Sequence, residues 1–201
     1  MIVDPAVADP RNIGKLLVEV VLPRPIAFVS TLSAEGVPNL APFSYFTVAS
    51  YNPPVLCFAP INRRDGTKKD TLLNIEATGE FVVNVVSEEI AAQMNLCSGE
   101  YPPEVDEFAV SGLTPVPSDM VKPARVKESR VNMECRLMQI VHVSGKPGGG
   151  NLVLGEVMRF HVDDAIVSHD AIDPDRLRPV GRMGGSTYVR TTDRFELERP
   201  K

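Results

Sequence analysis

The sequence has few cysteines, no surplus of positive charge and no long apolar run. Its three cysteines, Cys57, Cys97 and Cys135, lie far apart, which excludes the close pairs of a zinc site or a redox dithiol and fits buried, reduced thiols. The formal charge of −5 argues against a general nucleic-acid binder, which needs a basic surface. No stretch approaches the roughly 18 consecutive apolar residues of a membrane-spanning helix, so no membrane segment is expected.

Tryptophan is absent, and proline is abundant for the length of the chain. The 18 prolines disfavour long uninterrupted helices. Residues 1–12 carry Asp4 and Asp9 but no basic cluster and no apolar core segment, which excludes a secretory signal. The expected location is therefore the cytoplasm.

The remaining composition is that of a globular protein, with 43% apolar and 23% charged residues. At about 150 residues per domain, 201 residues correspond to one domain, with or without a long extension. We therefore expect a single domain over residues 1–201. Its barrel core is expected over about 20–165, with a Pro-rich insert at 99–127 and a C-terminal extension at 165–201.

The apolar pattern has a dominant period of two, which is typical of β-strands. The two longest alternating runs, Val131–Val143 and Leu152–Val162, flank the Gly-rich segment 145–150 and predict a hairpin. Apolar residues of the first run are expected on one face, with Asn132 and Glu134 on the other. The second run places one set of apolar residues on a common side: Leu152, Leu154, Met158, Phe160 and Val162. Shorter strand candidates are 24–31, 38–50 with a bend at Pro42, 54–60 and 80–86.

Two short helices are predicted between these strands. The first runs from Asp70, a candidate N-cap, to Gly79 at the C′ position. The second runs from Ser87 to about Cys97, with acidic residues in its first turn that suit the helix dipole. Six or seven strands with two short helices favour a closed antiparallel barrel, because closure removes the sheet edges.

A basic segment stands directly before the first predicted helix. Residues 62–71 read NRRDGTKKDT, with four basic side chains and two hydroxyls. The free amides and positive dipole end of a helix favour an anion, and a phosphate is the natural ligand. A solvated loop with its charges in water would have the same sequence pattern, so both interpretations remain open.

Small hydroxyl side chains on two apolar strands form a second candidate site. A tight turn would place the strands side by side, and hydroxyls can bond a phosphate or the polar edge of a ring without adding charge. Bonds to backbone carbonyls or to solvent are the alternative for each of them. Asn39 is either a fixed amide for a heterocycle or a turn residue. The hydroxyls are those of Ser30, Thr31, Ser44, Thr47 and Ser50.

Three familiar motifs are missing. Gly145–Gly150 is not a P-loop, because no Gly-Lys-Ser/Thr leads into a helix. No G-x-G-x-x-G follows a strand, and the three histidines lack a metal-ligand spacing, so no metal is expected. His142 and His161 flank the hairpin strands and are expected to be packed or hydrogen-bonded rather than catalytic.

Short motifs in a fixed order give a clearer indication than any single one. They are RPIAFVST at 24–31, NLAPFSYF at 39–46, NPPV at 52–55, KDT at 69–71, GEFVVN at 79–84, MEC at 133–135, LGEV at 154–157 and RMGGSTY at 182–188. From about residue 12 to 192, this set resembles the flavin reductase-like, FMN-binding split-barrel family. The likeness is to its longer branch, related to the reductase components of two-component flavin monooxygenases.

The resemblance implies a mainly β fold, a six-stranded antiparallel Greek-key split barrel with a few short peripheral helices. It also implies a homodimer with FMN bound near the subunit interface. By position, Ser30, Thr31, Asn39, Ala41 and Ser44 would line the flavin, Ser50, Lys69, Asp70 and Thr71 would take its phosphate, and Arg182 would approach the flavin or the partner chain.

The implied activity is electron transfer through the flavin, with the protein supplying binding, orientation and electrostatics. NADH or NADPH is the implied reductant, and a partner monooxygenase, free flavin or a metal is the acceptor. Hydride transfer to a flavin needs no protein acid or base, so no catalytic side chain is assigned.

One departure from the family pattern leaves the activity open. Short NAD(P)H:flavin reductases of the family carry Gly-Asp-His shortly before the glycine that is Gly155 here, and the Asp and His positions are occupied by Gly149 and Gly150. The chain is therefore either an NAD(P)H-dependent flavin reductase or an FMN-binding electron carrier without a nicotinamide site. A barrel that has lost its flavin is the third alternative.

Overall fold

The computed structural model describes residues 1–200, and most of its regular structure is antiparallel β-sheet. Seven strands form one sheet, in the order β2-β1-β5-β8-β9-β4-β3. The bounds are β1 Ala27–Leu32, β2 Pro38–Phe43, β3 Phe46–Tyr51, β4 Pro54–Phe58, β5 Glu80–Val85, β6 Pro115–Val116, β7 Arg125–Val126, β8 Val131–His142, β9 Asn151–Val162, β10 Val167–Ser168, β11 Ala171–Ile172, β12 Val180–Arg182 and β13 Tyr188–Arg190. The mainly β, antiparallel class predicted from the period-two pattern is confirmed.

The main sheet has seven strands, within the six or seven that the pattern predicted and one more than the six-stranded barrel that the resemblance implied. The predicted run 38–50 is two strands, and the chain turns at Ser44 and Tyr45 rather than at Pro42. Pro42 stays inside β2 and pairs with Phe28 of β1. It is tolerated there because β2 is the outermost strand of the order, where a missing N–H costs no ladder hydrogen bond on the open side.

The helices are short, as the proline content predicts. They are α1 Pro10–Val20, α2 Asp70–Thr78, α3 Ala91–Leu96, α4 Glu107–Ser111 and α5 Pro174–Leu177, with 3₁₀ turns at Glu88–Ile90 and Asp164–Ile166. The sequence predicted α2 and α3 but not the other three. Gly79 ends α2 with a left-handed φ of 70°, as expected, but the N-cap is Lys69 and not Asp70. Across residues 1–200, no helix is long and apolar enough to cross a membrane.

The predicted hairpin is confirmed, but its buried face is not the expected one. β8 and β9 pair from Val131 with Val162 to His142 with Asn151, and the register shifts twice along the way. In β9 the core positions are Val153, Gly155 and Val157, whereas the side expected to be shared by Leu152 and Phe160 is half-buried or exposed. In β8, Asn132 and Glu134, which were expected on the polar face, are buried. Bulges displace the simple alternation, because each adds one residue to one strand.

The core is divided into two clusters of buried side chains. One lies inside the barrel around Phe58 and Phe81, and Phe81 packs so closely on Gly155 that a Cβ there would lie 2.2 Å from its ring. The other lies between the sheet and residues 99–127, around Phe28, Leu40 and Phe108. The insert is thereby fixed against the outer side of β1 and β2. All three cysteines are free, with Cys97 and Cys135 buried and Cys57 half-buried.

Candidate functional site

A cleft lies where β2, the start of α2 and the insert meet. Its walls are Asn39, Ala41, Pro42, Phe43, Arg63, Lys69, Asp70, Thr71, Cys97, Ser98, Gly99, Glu100, Tyr101 and Glu107. The fold thus brings together five of the ten predicted site residues: Asn39, Ala41, Lys69, Asp70 and Thr71. These residues come from two separate segments of the sequence, as the hypothesis of a composite site required.

A groove adjoins this cleft and shares Pro42, Phe43 and Lys69 with it. It has a volume of about 310 Å³, at the lower end of the range of small-molecule sites. Apolar and aromatic side chains form much of the wall, together with Ser44 and three cations, and no acidic side chain of the described chain lines it. The lining residues are Val18, Arg24, Pro42, Phe43, Ser44, Tyr45, Ala59, Ile61, Lys69, Arg182, Met183 and Gly185.

The start of α2 has the geometry of an anion site. Lys69 is the N-cap in extended conformation and its side chain makes no capping hydrogen bond, so the first amides of the helix have no side-chain acceptor. Within residues 1–200, the Lys69 ammonium has no hydrogen-bond or ion-pair partner. An anion in the cleft would meet this ammonium and the positive end of the helix together.

The other basic residues of the segment are placed differently. Arg63 Nη2 lies 2.6 Å from Asp70 Oδ2, so part of its charge is compensated at the cleft wall. Lys68 Nζ lies 2.6 Å from Glu76 Oε1 and is not part of the cleft wall, and Arg64 is exposed. The segment is therefore divided, since Lys69 and Arg63 line the cleft while Arg64 is exposed to solvent.

A chain of buried polar side chains joins β1, β2, α2 and the insert. Asn39 Oδ1 accepts from Thr71 Oγ1 at 2.7 Å and from Thr31 Oγ1 at 3.2 Å. Asn39 Nδ2 donates to Glu107 Oε1 at 2.9 Å, and Asn74 Nδ2 donates to Thr31 Oγ1 at 3.0 Å. Asn39 therefore uses its oxygen twice and one of its two side-chain N–H groups once within the protein.

The remaining predicted residues divide between the groove and the rest of the fold. Ser44 and Arg182 line the groove. Ser30 is buried and donates to Ala124 O at 2.5 Å, and Thr31 is buried in the polar chain. Ser50, at the end of β3, accepts from the backbone N–H of Asn52. The structure thus brings seven of the ten residues to the cleft and groove, and places Ser30, Thr31 and Ser50 elsewhere.

Two functional side chains were missed by the sequence analysis. Arg24 is 6% exposed, lines the groove and donates to the carbonyls of Val18, Val21 and Met183. Glu107, also 6% exposed, lies in the insert, and burial raises the pKa of its carboxyl. A charged residue directly before an apolar strand was a usable signal for Arg24, whereas nothing in the pattern around Glu107 indicates burial.

A histidine and two carboxylates come together at the far end of the β8–β9 hairpin. Asp119, Glu134 and His161 have ligand atoms within 4.8 Å of one another. Glu134 is fully buried and accepts from His161 Nε2 at 2.5 Å and from three backbone amides. Burial alone would raise the pKa of Glu134, but these hydrogen bonds outweigh it and lower the pKa. The lone pairs of Glu134 are used in these hydrogen bonds, and Asp119 is paired with Arg159. The cluster therefore fixes the backbone of residues 119–121.

The two histidines of the hairpin are hydrogen-bonded, as expected, and lie outside the cleft and groove. His161 contacts Glu134, and His142 Nδ1 lies 2.8 Å from Asn151 Oδ1. Gly149 and Gly150 occupy the positions that carry Asp and His in the short reductases. A Cβ on Gly149 would lie 2.2 Å from Ser144 O, whereas one on Gly150 would have only Ile61 nearby. The loop therefore cannot accept a side chain at 149 without rebuilding.

Residues 20–174 match the family model of the flavin reductase like domain. In structure, the chain is similar to nitrilotriacetate monooxygenase component B from Bacillus cereus, with a TM-score of 0.93, 33% identity and 98% of each chain covered. It is also similar to a 2-nitrobenzoate 2-nitroreductase from Pseudomonas fluorescens, with a TM-score of 0.88, 31% identity, and 100% of this chain and 96% of that chain covered. A protein with a split barrel domain from Shewanella frigidimarina, at a TM-score of 0.84, 24% identity and 100% coverage of both chains, shows the shared fold.

Proposed function

The chain belongs to the flavin reductase like family, and on this premise we propose that it is an FMN-binding flavoprotein that is reduced by NADH or NADPH. It passes the electrons to a partner oxygenase, to free flavin or to another acceptor, and works in the cytoplasm. The observation that carries the proposal is the cleft and groove joined at Lys69. An anion subsite at one end and an apolar, acid-free groove at the other match a ligand that has a phosphate and a flat ring.

The residues present fit such a ligand. Lys69, Arg63 and the uncapped amides of α2 would hold the phosphate. Ala41 and Ser44 would lie along the ligand, since they line the cleft and the groove respectively. When bound, the flavin supplies the redox chemistry.

Positive charge is the main electrostatic contribution of the groove. Arg24, Lys69 and Arg182 line it without an acidic side chain, so negative charge that develops on a bound ring is stabilised. Arg24 is fixed by three backbone carbonyls and needs little reorganisation during the reaction. Arg182 lies 4.5 Å over the Tyr188 ring, which orients its guanidinium at the groove edge.

The similarity to a monooxygenase component supports a partner oxygenase as the acceptor. An electron carrier without a nicotinamide site is the second candidate function. It is favoured by Gly149 and Gly150, which stand where the resemblance places the Asp and His of the short reductases, and a Cβ at 149 would lie 2.2 Å from Ser144 O.

A homodimer is the proposed assembly, because large apolar side chains are exposed on β3 and β9, two strands in one half of the sheet that are separated by β4. Val48 and Tyr51 on β3 are 66% and 93% exposed, and Phe160 on β9 is 56% exposed. A second copy that covers this surface would remove an apolar patch that monomeric proteins rarely expose.

Two measurements test the proposed function. The purified protein, reconstituted with FMN and passed through a desalting column, should keep the visible absorption of oxidised flavin. Anaerobic addition of NADH or NADPH should then bleach it. If FMN is retained but neither nucleotide bleaches its absorption, the electron carrier is the function. A protein that does not bind FMN would overturn both functions.

A further inference from the structure

A carboxylate from the insert is buried against the anion subsite. Glu107 begins α4 and lines the same cleft as Lys69. Its Oε1 accepts from Asn39 Nδ2 at 2.9 Å, and its Oε2 accepts from the backbone N–H of Leu40 at 3.0 Å. An ionised carboxylate can only accept hydrogen bonds, so the Asn39 side chain must present its nitrogen to Glu107.

The orientation of Asn39 determines the direction of the next hydrogen bonds. With its nitrogen on Glu107, its Oδ1 faces the hydroxyls of Thr71 and Thr31. An amide oxygen accepts only, so Thr71 donates its single hydroxyl proton to Asn39 at 2.7 Å. That proton is then unavailable to a ligand in the cleft, and Thr71 can offer an anion only its backbone N–H.

We propose that Glu107 is a positioning residue that lowers the affinity of the cleft for the flavin phosphate. It orients Asn39 so that the Thr71 hydroxyl donates its proton to Asn39 and not to the phosphate. This inference rests on the proposed function. The phosphate is bound through Lys69, Arg63 and backbone amides without help from Thr71, and FMN remains exchangeable. Burial raises the pKa of the Glu107 carboxyl, and the negative charge of Asp70 raises it further. Both effects make the ionised form of Glu107 less favourable.

The isosteric change Glu107→Gln reverses the donor-to-acceptor direction of the hydrogen bonds from residue 107 through Asn39 to Thr71. The backbone N–H of Leu40 cannot turn, so the new amide keeps its oxygen there and presents its nitrogen to Asn39. Asn39 must then turn its oxygen toward residue 107 and its nitrogen toward Thr71. The Thr71 hydroxyl becomes an acceptor from Asn39, and its proton is free for a phosphate.

The test measures the dissociation constants of FMN and riboflavin from quenching of flavin fluorescence, in the full chain. The ratio of the two affinities isolates the phosphate, because riboflavin lacks it. In E107Q the ratio should rise about tenfold in favour of FMN, the scale of one hydrogen bond to a charged group. T71V should leave the ratio within about twofold when Glu107 is present, and should cancel the rise in E107Q/T71V.

Each outcome decides the point. If the FMN-to-riboflavin affinity ratio stays high in the double variant, Glu107 acts through its charge alone. If the ratio does not rise in a folded E107Q, Asn39 does not turn. Either result overturns the inference. A lower ratio in T71V alone would also overturn it, because Thr71 would then donate to the phosphate, and this arm does not depend on the folding of E107Q. Equal binding of both flavins by every variant would place the phosphate elsewhere. If the wild type bound neither flavin, the proposed function itself would fail.

Discussion

The guanidinium of Arg24 contacts Ser44, because its Nε donates a hydrogen bond to Ser44 Oγ at 3.3 Å. Its other nitrogens donate to Val18 O at 2.6 Å, Val21 O at 3.0 Å and Met183 O at 3.0 Å. One buried cation thus ties the end of α1 and the C-terminal extension to the turn after β2. The groove wall depends on this contact, because Val18, Ser44 and Met183 all line it.

Replacing Arg24 by lysine should destabilise the protein although the charge is kept. A single ammonium cannot reach all four acceptors, and each buried carbonyl left without a donor costs about 1–3 kcal/mol. The expected loss is about 2–4 kcal/mol in the free energy of unfolding, measured by urea denaturation. Arg64→Lys, at an exposed arginine, is the control and should change little. A fully stable R24K would show that the clamp is dispensable.

Lys69→Ala should weaken FMN binding by about 1–2 kcal/mol, the scale of one charge-assisted hydrogen bond. Riboflavin affinity should change much less, because riboflavin lacks the phosphate that meets the ammonium. Fluorescence titration gives both values, and a thermal melt should show an unchanged fold.

The neighbouring lysine provides a matched control for this change. Lys68 is paired with Glu76 and does not line the cleft, so Lys68→Ala should leave FMN binding unaltered. Equal FMN affinity in K69A and the wild type, or an equal loss in K68A, would remove Lys69 from the phosphate site.

Glu134→Gln should lower stability at neutral pH, by about 2–3 kcal/mol, because an amide cannot accept from all the donors that surround this carboxylate. The pKa of Glu134 is lowered in the folded state, so its contribution is complete above the ordinary glutamate pKa of 4.5 and is lost as the pH falls through the folded value. The difference in unfolding free energy between wild type and E134Q should therefore be constant near pH 7 and shrink below about pH 4.5. A difference independent of pH would contradict this account.

Phe160→Glu should convert the proposed dimer into a monomer. The side chain is 56% exposed on β9, and a charge there would have to be buried in the interface. Light scattering should give a mass near twice 21.9 kDa for the wild type and near 21.9 kDa for the variant. Phe195→Glu, at an exposed phenylalanine outside the sheet, should leave the dimer intact. A monomeric wild type would exclude the interface on this surface.

The local pattern was sufficient for the strands of the main sheet and for α2 and α3, but not for the other helices or for which side chains are buried. The alternation of β8 and β9 predicted a hairpin, yet Leu152 is half-buried and Phe160 is exposed, since bulges shift the register and the small Gly155 packs under Phe81 in the core. Asp70 was one residue away from the true N-cap because the capping signal of a single acidic residue does not fix the first turn.

The same division applies to the site. Lys69 and Thr71 could be placed from the sequence, because a basic segment before a short helix depends only on neighbouring residues. Ser30 and Ser50 carry the same hydroxyl chemistry as Ser44, and only the packing of Ala124 and the turn at Asn52 shows that their oxygens are engaged elsewhere.

The order of motifs along the chain determined the family, the antiparallel class and the basic segment that reaches the cleft, because these depend on local residue type and spacing. The tertiary structure decided which side chains share the cleft and in which direction their protons point. Glu107 and Arg24 became part of the site only when residues far apart in the chain were packed together. Hydrogen-bond direction in a buried network depends on every partner at once, and a linear pattern does not contain that information.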